Sequence, residues 1–300
     1  MAEIAEHLKS SFSIHDLEIL SGIKAHTIRI WEKRYEFLNP ARKGRNVRIY
    51  SVDDLRKLLN ATLLYKNNYK ISEITALSNR DLRDTAKEVG MNDVNNSLDI
   101  NTIIISMFTL DESLFESVYV RQIKNYSFEE IYLKTYVPVL RRIGMLWQTN
   151  SIKPAHEHFL SAIVVQKIVL EIAKIKPVSN TDKAVHILFL PEGEIHEIGL
   201  MFLNYYLRAR GFKVVSLGSS IPANDLFEIK TQFNNIHWVT SFVMTQPKHR
   251  VQVFLDKIDK LLEGTNDEVS ILGYLAHEPE NYKFGESVNL FANLEEFMNK

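Results

Sequence analysis

The strongest restriction on the fold lies toward the C-terminus, where short apolar runs alternate with helical segments. Ala184–Leu190, Lys213–Gly218, His237–Met244 and Glu268–Tyr274 each have the length and composition of a buried strand. Leu200–Arg210, a segment starting at Pro222, and Arg250–Leu262 read as the intervening helices. This alternation predicts an α/β doubly wound, Rossmann-like parallel sheet, which takes ligands at the carboxyl ends of its strands. The loop after the first strand holds His196, with Glu194 two residues before it and Gly199 three after. A neutral imidazole is a good transition-metal ligand, and a neighbouring carboxylate can fix its tautomer. A lone loop histidine can equally be a solvated side chain. The chain has no Cys, which excludes disulfide frameworks, thiolate metal sites and cysteine nucleophiles.

The preceding stretch, residues 101–176, is dominated by helical periodicity. Asp111 to Val118 is one helix, Ser127 to Glu130 has capping-box spacing, and Pro154 opens a longer helix. Together they predict a central four-helix bundle. Residues 80–95 are polar and read as a linker. His156-Glu157-His158 lies at the start of the long helix. Positions i and i+2 do not share a helix face, so the spacing argues against a zinc site and for an exposed helix start.

The N-terminal segment carries the basic charge. Residues 1–90 have a net charge of +4 and residues 91–300 of −5, and the span Lys24–Lys57 alone reaches +6. Such asymmetry suggests a polyanion-binding end joined to an acidic body. Ser13 to Leu20 reads as a capped helix, Gly22 as a tight turn, and Lys24 to Tyr35 as a second helix. Ile28, Trp31 and Tyr35 mark its apolar face, while His26, Thr27, Arg29, Lys33 and Arg34 lie on the other. Two short helices about a Gly turn describe a helix-turn-helix whose second helix can enter a major groove. Pro40 to Tyr50 then suits a small hairpin wing, with Arg42, Lys43, Arg45, Arg48 and Tyr50 as further candidates for DNA contact.

On Gly22-Ile23, Thr27 to Tyr35, Pro40-Ala41-Arg42 and Arg48-Ile49-Tyr50, residues 11–80 resemble the MerR family of winged helix-turn-helix regulators. Glu194-x-His196-x-x-Gly199 resembles the Asp-x-His-x-x-Gly motif of the cobalamin-binding domain found in methionine synthase, mutases and cobalamin sensors. Ser216-Leu217-Gly218, Ser241 and Gly273 fall where that family has its further motifs. The resemblance implies that His196 is the lower axial cobalt ligand and that the nucleotide tail enters a slot in the domain. Tyr274 stands where the family has a second Gly, and a ring there is expected to narrow the slot. Trp147, nine intervening residues, then Glu157-His158 is similar to the bundle motif of CarH/LitR-type photoreceptor repressors. In that family these residues cap the upper face of adenosylcobalamin. Gln148 stands where some members have a His that ligates cobalt after illumination.

These resemblances imply three domains. Residues 1–82 are the winged helix-turn-helix, 95–178 the bundle, and 182–300 the cobalamin-binding domain. They imply a repressor, not an enzyme, that binds double-stranded DNA, senses adenosylcobalamin or another cobalamin, and responds to light. The expected partner besides DNA is a second copy of the chain, as a dimer or tetramer. The mixed, acidic N-terminus and the lack of an apolar run of roughly 20 residues lead us to expect a cytoplasmic protein without a membrane span. Two other readings stay open: a cofactor-independent regulator of the same build, and a corrinoid methyl-transfer protein, which the N-terminal motifs oppose.

Overall fold

The computed structural model describes residues 11–43, 47–91, 96–149, 151–178 and 184–300. They form two compact units that divide between Ile163 and Val164. No helix among the described residues is long and apolar enough to cross a membrane.

The first unit opens with Ser11–Phe12 (β1), Ile14–Ser21 (α1) and Ala25–Tyr35 (α2). Ser13 caps α1 by accepting from the Asp16 N–H, and the Asp16 carboxylate accepts in return from the Ser13 N–H. Gly22 ends α1 at φ 73, a left-handed conformation that costs glycine little, and this bend sets α2 against α1. Ala41–Lys43 (β2) and Val47–Ser51 (β3) pair antiparallel, and β1 pairs with the other side of β3. Ser51 then caps Val52–Lys66 (α3) through a second capping box with Asp54. Trp31 lies under these elements, edge-on to Phe37 and Tyr65.

Ile71–Ala76 (α4) and Asn79–Met91 (α5) follow. The helix α5 corrects the reading of residues 80–95 as a linker, of which 92–95 lie outside the described residues. Its buried apolar contribution is small, Leu82 and Ala86 one turn apart, packed toward α3. Leu82, Ala86 and Val89 do recur at helical spacing, and the strongly polar composition of the segment masks it.

The remaining helices are Ser97–Thr109 (α6), Glu112–Gln122 (α7), Phe128–Ile131 (α8), Val137–Gln148 (α9) and Pro154–Ala173 (α10). A π turn at Tyr132–Tyr136 joins α8 to α9. Helix α6 packs on α3 and α5, and α9 on α1. The rings of Phe12 and Phe108 meet edge to face at 4.7 Å, so the N-terminal elements and α6 share one apolar interior.

The second unit contains a parallel sheet of order β5-β4-β6-β7-β8. Its strands are Val185–Pro191 (β4), Val214–Ile221 (β5), Ile236–Phe242 (β6), Glu268–Gly273 (β7) and Val288–Phe291 (β8). The fifth strand was not foreseen: at four residues, half of them only partly buried, it lacks the apolar run of the others. Ile198–Ala209 (α11), Asp225–Lys230 (α12), Lys248–Leu262 (α13) and Leu294–Met298 (α14) complete the unit. Alternate residues of the strands, Ile187, Phe189, Trp238, Val269 and Ile271 among them, pack with Leu226 of α12 and Phe254 of α13. The opposite face meets α11 and α14, which are tied together by the Tyr206 hydroxyl donating to the Met298 carbonyl.

Candidate functional site

The carboxyl edge of this sheet is organised by one buried carboxylate. Glu194 is 1% exposed, in the loop between β4 and α11. Its Oε1 accepts from the N–H groups of Ile195 (3.0 Å) and His196 (3.1 Å). Its Oε2 accepts from the N–H groups of Val243 and Met244, each at 3.0 Å, just past β6. The fifth contact is His196 Nδ1, 2.6 Å from Oε1. Burial pushes the Glu194 carboxyl up, but the hydrogen bonds from Met244, His196 and Val243 outweigh it and hold the group below its ordinary value.

An ionised carboxylate only accepts, so Nδ1 of His196 donates to it and Nε2 is the nitrogen left to face a ligand. The ring is about half exposed, at 48% of its side-chain surface. This is the arrangement of a metal-ligating histidine oriented by an outer carboxylate. No group of three or more His, Asp or Glu residues that could hold a metal ion occurs among the described residues. A single preset imidazole therefore suits a metal that arrives with its other ligands already attached.

The surroundings fit a large planar ligand. Ile195, Val243 and Met244 expose 68%, 55% and 57% of their surface beside the histidine. Reading the sequence alone missed all three, because nothing in their local pattern separates a bare apolar side chain from a core one. Ser216 on β5 and Ser241 on β6 share the sheet face opposite Leu217 and Phe242, while Gly218 stands at a break in the β4–β5 register. A Cβ built on Gly199 or Gly218 would meet nothing within 4 Å, so both leave room that the protein does not fill. Gly273 differs: its φ is 112, and a Cβ there would lie 2.1 Å from the Phe242 carbonyl oxygen. Its role is close approach of β7 to β6.

Tyr274 does not meet the expectation of a narrowed slot. Its ring packs against Phe242, with centroids 6.1 Å apart, and its hydroxyl accepts from the Gln246 N–H. It thus joins the α13 side of the sheet, away from the face of Ser216 and Ser241. The irregular backbone at Gly273 breaks the strand alternation that would otherwise have pointed the ring to that face.

In the first unit, Trp147 ends α9 with 40% of its surface exposed. Glu157 and His158 lie in the first turn of α10, joined by Glu157 Oε2 and His158 Nδ1 at 2.7 Å. Ser161 also donates to the Glu157 carboxylate. Among the described residues, Trp147 makes no hydrogen bond or ring contact with either. His156 departs from the expected exposed helix start: it is fully buried, its ring 5.5 Å from that of Phe108, while His158 faces out. Residues i and i+2 of the helix are divided between its faces as the spacing required.

The N-terminal basic residues are only partly free to meet a ligand. His26, Arg29, Lys33, Arg34 and Arg42 are exposed, and Thr27 is half-buried with its hydroxyl 3.3 Å from His26 Nε2. Arg48 is held by Glu32, with Nε to Oε1 at 3.0 Å. Tyr50 corrects the sequence reading: it is fully buried, and its hydroxyl donates to Glu32 Oε2 at 2.8 Å. Its ring belongs to the core, because its strand position points inward. Glu32, which sequence reasoning passed over, clamps β3 to α2. Arg45 lies outside the described residues, and Lys43 ends β2 immediately before that gap.

Comparison with known proteins places these features. Residues 12–81 match the model for the MerR HTH family regulatory protein, and residues 100–170 match that for a B12 binding domain. The chain is 25% identical to the HTH-type transcriptional repressor CarA of Myxococcus xanthus over 218 residues, 70% of this chain and 69% of CarA. It is 25% identical to the repressor CarH of the same organism over 213 residues, 69% of this chain and 70% of CarH. The fold is similar to that of the monomethylamine corrinoid protein of Methanosarcina barkeri, with a TM-score of 0.52 and 14% identity over 66% of this chain and 93% of that one. With its helix-turn-helix segment ahead of a B12-binding segment, the chain is a MerR/B12-binding regulator, similar to CarA and CarH over most of its length.

Proposed function

We propose that the chain is a transcriptional repressor that binds double-stranded DNA through its N-terminal segment and senses adenosylcobalamin through its helical segment and sheet unit. The observation that carries the reading is the Glu194–His196 pair, which presents Nε2 at the carboxyl edge of the sheet. In this reading His196 would ligate the cobalt. Ile195, Val243 and Met244 would offer apolar surface to the corrin, and Ser216, Gly218, Ser241 and Gly199 would shape the seat of its tail, with Gly273 holding β7 close to β6. Trp147, Glu157 and His158 would be the contribution of the helical segment to cofactor binding. Bound adenosylcobalamin supplies a Co–C bond that light cleaves.

The β2–β3 pair is read as the wing of a winged helix-turn-helix, and α6, α7, α10 and the helix that α8 and α9 form through the π turn as the four-helix bundle of a cobalamin sensor. Arg29, Lys33, Arg34 and Arg42 contact phosphates, with His26 and Thr27 nearest the bases. Cofactor binding favours a homo-oligomer, dimer or tetramer, which brings several DNA-binding segments onto repeated sites. Loss of the adenosyl group in light would shift the population away from that oligomer. As a regulator of transcription it works in the cytoplasm, with the DNA it binds.

The test is the absorption spectrum after mixing with adenosylcobalamin in the dark. A base-off spectral shift, lost in His196→Ala, is the expected result. No shift, or one indifferent to His196, overturns the reading. Gel filtration and DNA-shift assays in dark and light then test oligomerisation and the light response.

A further inference from the structure

The sheet unit has a cavity of about 600 Å3 on the side of its carboxyl edge that faces α13. Its floor is apolar, made by Phe242, Val253 and Phe254. One face of α13 lines it with His249, Arg250 and Lys257, against a single carboxylate, that of Glu192. Neither Arg250 nor Lys257 forms an ion pair or a hydrogen bond among the described residues. Lysines and arginines left without countercharge around a concave apolar surface attract anions, because the low-dielectric walls concentrate their field. The α13 N-terminus, which has no side-chain cap, opens beside Arg250 and adds the same sign of potential.

The rim is held in a costly conformation. Ser220 has φ 57, in the left-handed region that non-glycine residues rarely adopt. Its hydroxyl accepts from the Gly193 N–H, and its own N–H donates to the Glu194 carbonyl. The loop that positions His196 on one side of the sheet edge therefore also builds a wall of this cavity.

We propose that the cavity is a binding site for a small organic anion of nucleotide size, distinct from the cobalamin seat. The volume lies within the range of about 300–1,000 Å3 usual for small-molecule sites. Arg250 and His249 hold the phosphate or carboxylate. A planar or apolar body covers Val253, which is 53% exposed. Lys257 lies two turns along α13, about 10 Å from Arg250 at 1.5 Å per residue, and meets a second polar group at the far end. A compact inorganic anion reaches only one of the two cations and has nothing to lay on the floor.

The test is calorimetry on the full chain with AMP and with inorganic phosphate as probes. AMP is expected to bind saturably, at least about tenfold more tightly than phosphate, and more weakly at high salt. The surface double variant Arg250→Gln/Lys257→Gln, checked for native circular dichroism, is expected to weaken AMP binding by about tenfold or more. His196→Ala is expected to leave it unchanged, which separates this site from the cobalamin reading. Three results would each overturn the proposal: no saturable AMP binding up to about 10 mM, equal affinity for phosphate, or loss of binding in His196→Ala with retention in the double variant.

Discussion

His196 Nδ1 and Glu194 Oε1 lie 2.6 Å apart, and the same carboxylate accepts four backbone N–H groups from the loops after β4 and β6. One side chain therefore both fixes the histidine tautomer and locks the two loops on either side of the point where the strand order reverses. Glu194→Gln keeps the shape but loses the charge and can accept with one oxygen only. We expect cobalamin affinity to fall by about 10- to 100-fold, read from an absorption titration. The carboxyl is held below its ordinary value of 4.5, so its stabilisation is complete above that pH and is lost only as pH falls through the lower folded value.

Tyr50 and Arg29 separate structural from DNA-contacting residues. Tyr50→Phe removes the hydrogen bond to Glu32 and should cost about 1 kcal/mol in denaturant unfolding. Once folded, that variant should bind DNA like the parent. Arg29→Ala should leave stability within about 0.5 kcal/mol, weaken DNA binding, and reduce the salt slope by about 1. Fluorescence anisotropy at several salt concentrations measures both. An unchanged slope in Arg29→Ala removes that residue from the phosphate contacts.

Gly273→Ala adds a methyl group where the Phe242 carbonyl oxygen would be 2.1 Å away, at a φ of 112. The sheet edge must part, at a cost of about 3 kcal/mol or more. Gly199→Ala enters open space in the first turn of a helix and should be tolerated, or slightly stabilising, in thermal unfolding. The same change should hinder cobalamin, which a titration of the folded variant detects.

His186 lies under the opposite end of the sheet, its ring 5.0 Å from that of His237 and 4.7 Å from that of Phe212. Burial, with a smaller contribution from His237, lowers it from 6.5 to about 4. The folded state thus holds it neutral while the unfolded chain takes up a proton below 6.5. Its stabilisation is complete above that pH and declines as pH falls toward 4, by at most about 1.4 kcal/mol per pH unit. Urea unfolding of the parent and His186→Phe between these limits should show a shallower pH dependence in the variant.

How much of this could be read in advance depends on whether a feature is local. Glu194, His196 and Gly199 sit within six residues, and the strand before them is a continuous apolar run, so the loop and its position followed from the chain itself. The helix-turn-helix was legible for the same reason: Ser13, Gly22 and Ser51 punctuate it by capping and turning the chain next to themselves. The helix α5 was not, because its polar composition masks the helical recurrence of Leu82, Ala86 and Val89, nor was strand β8, which buries too few apolar side chains to produce a period.

The sequence by itself determined where helices and strands alternate, which residues cap them, and which histidine stands at the sheet edge. Those follow from short-range sterics and from the burial of apolar side chains at regular spacing. Only the tertiary structure decided that Tyr50 faces the core, that Tyr274 turns toward α13, and that Glu194 receives the N–H groups of Val243 and Met244, some fifty residues away. Each of these depends on which distant backbone closes over the side chain. That is a matter of strand order and close packing, and no local pattern encodes it.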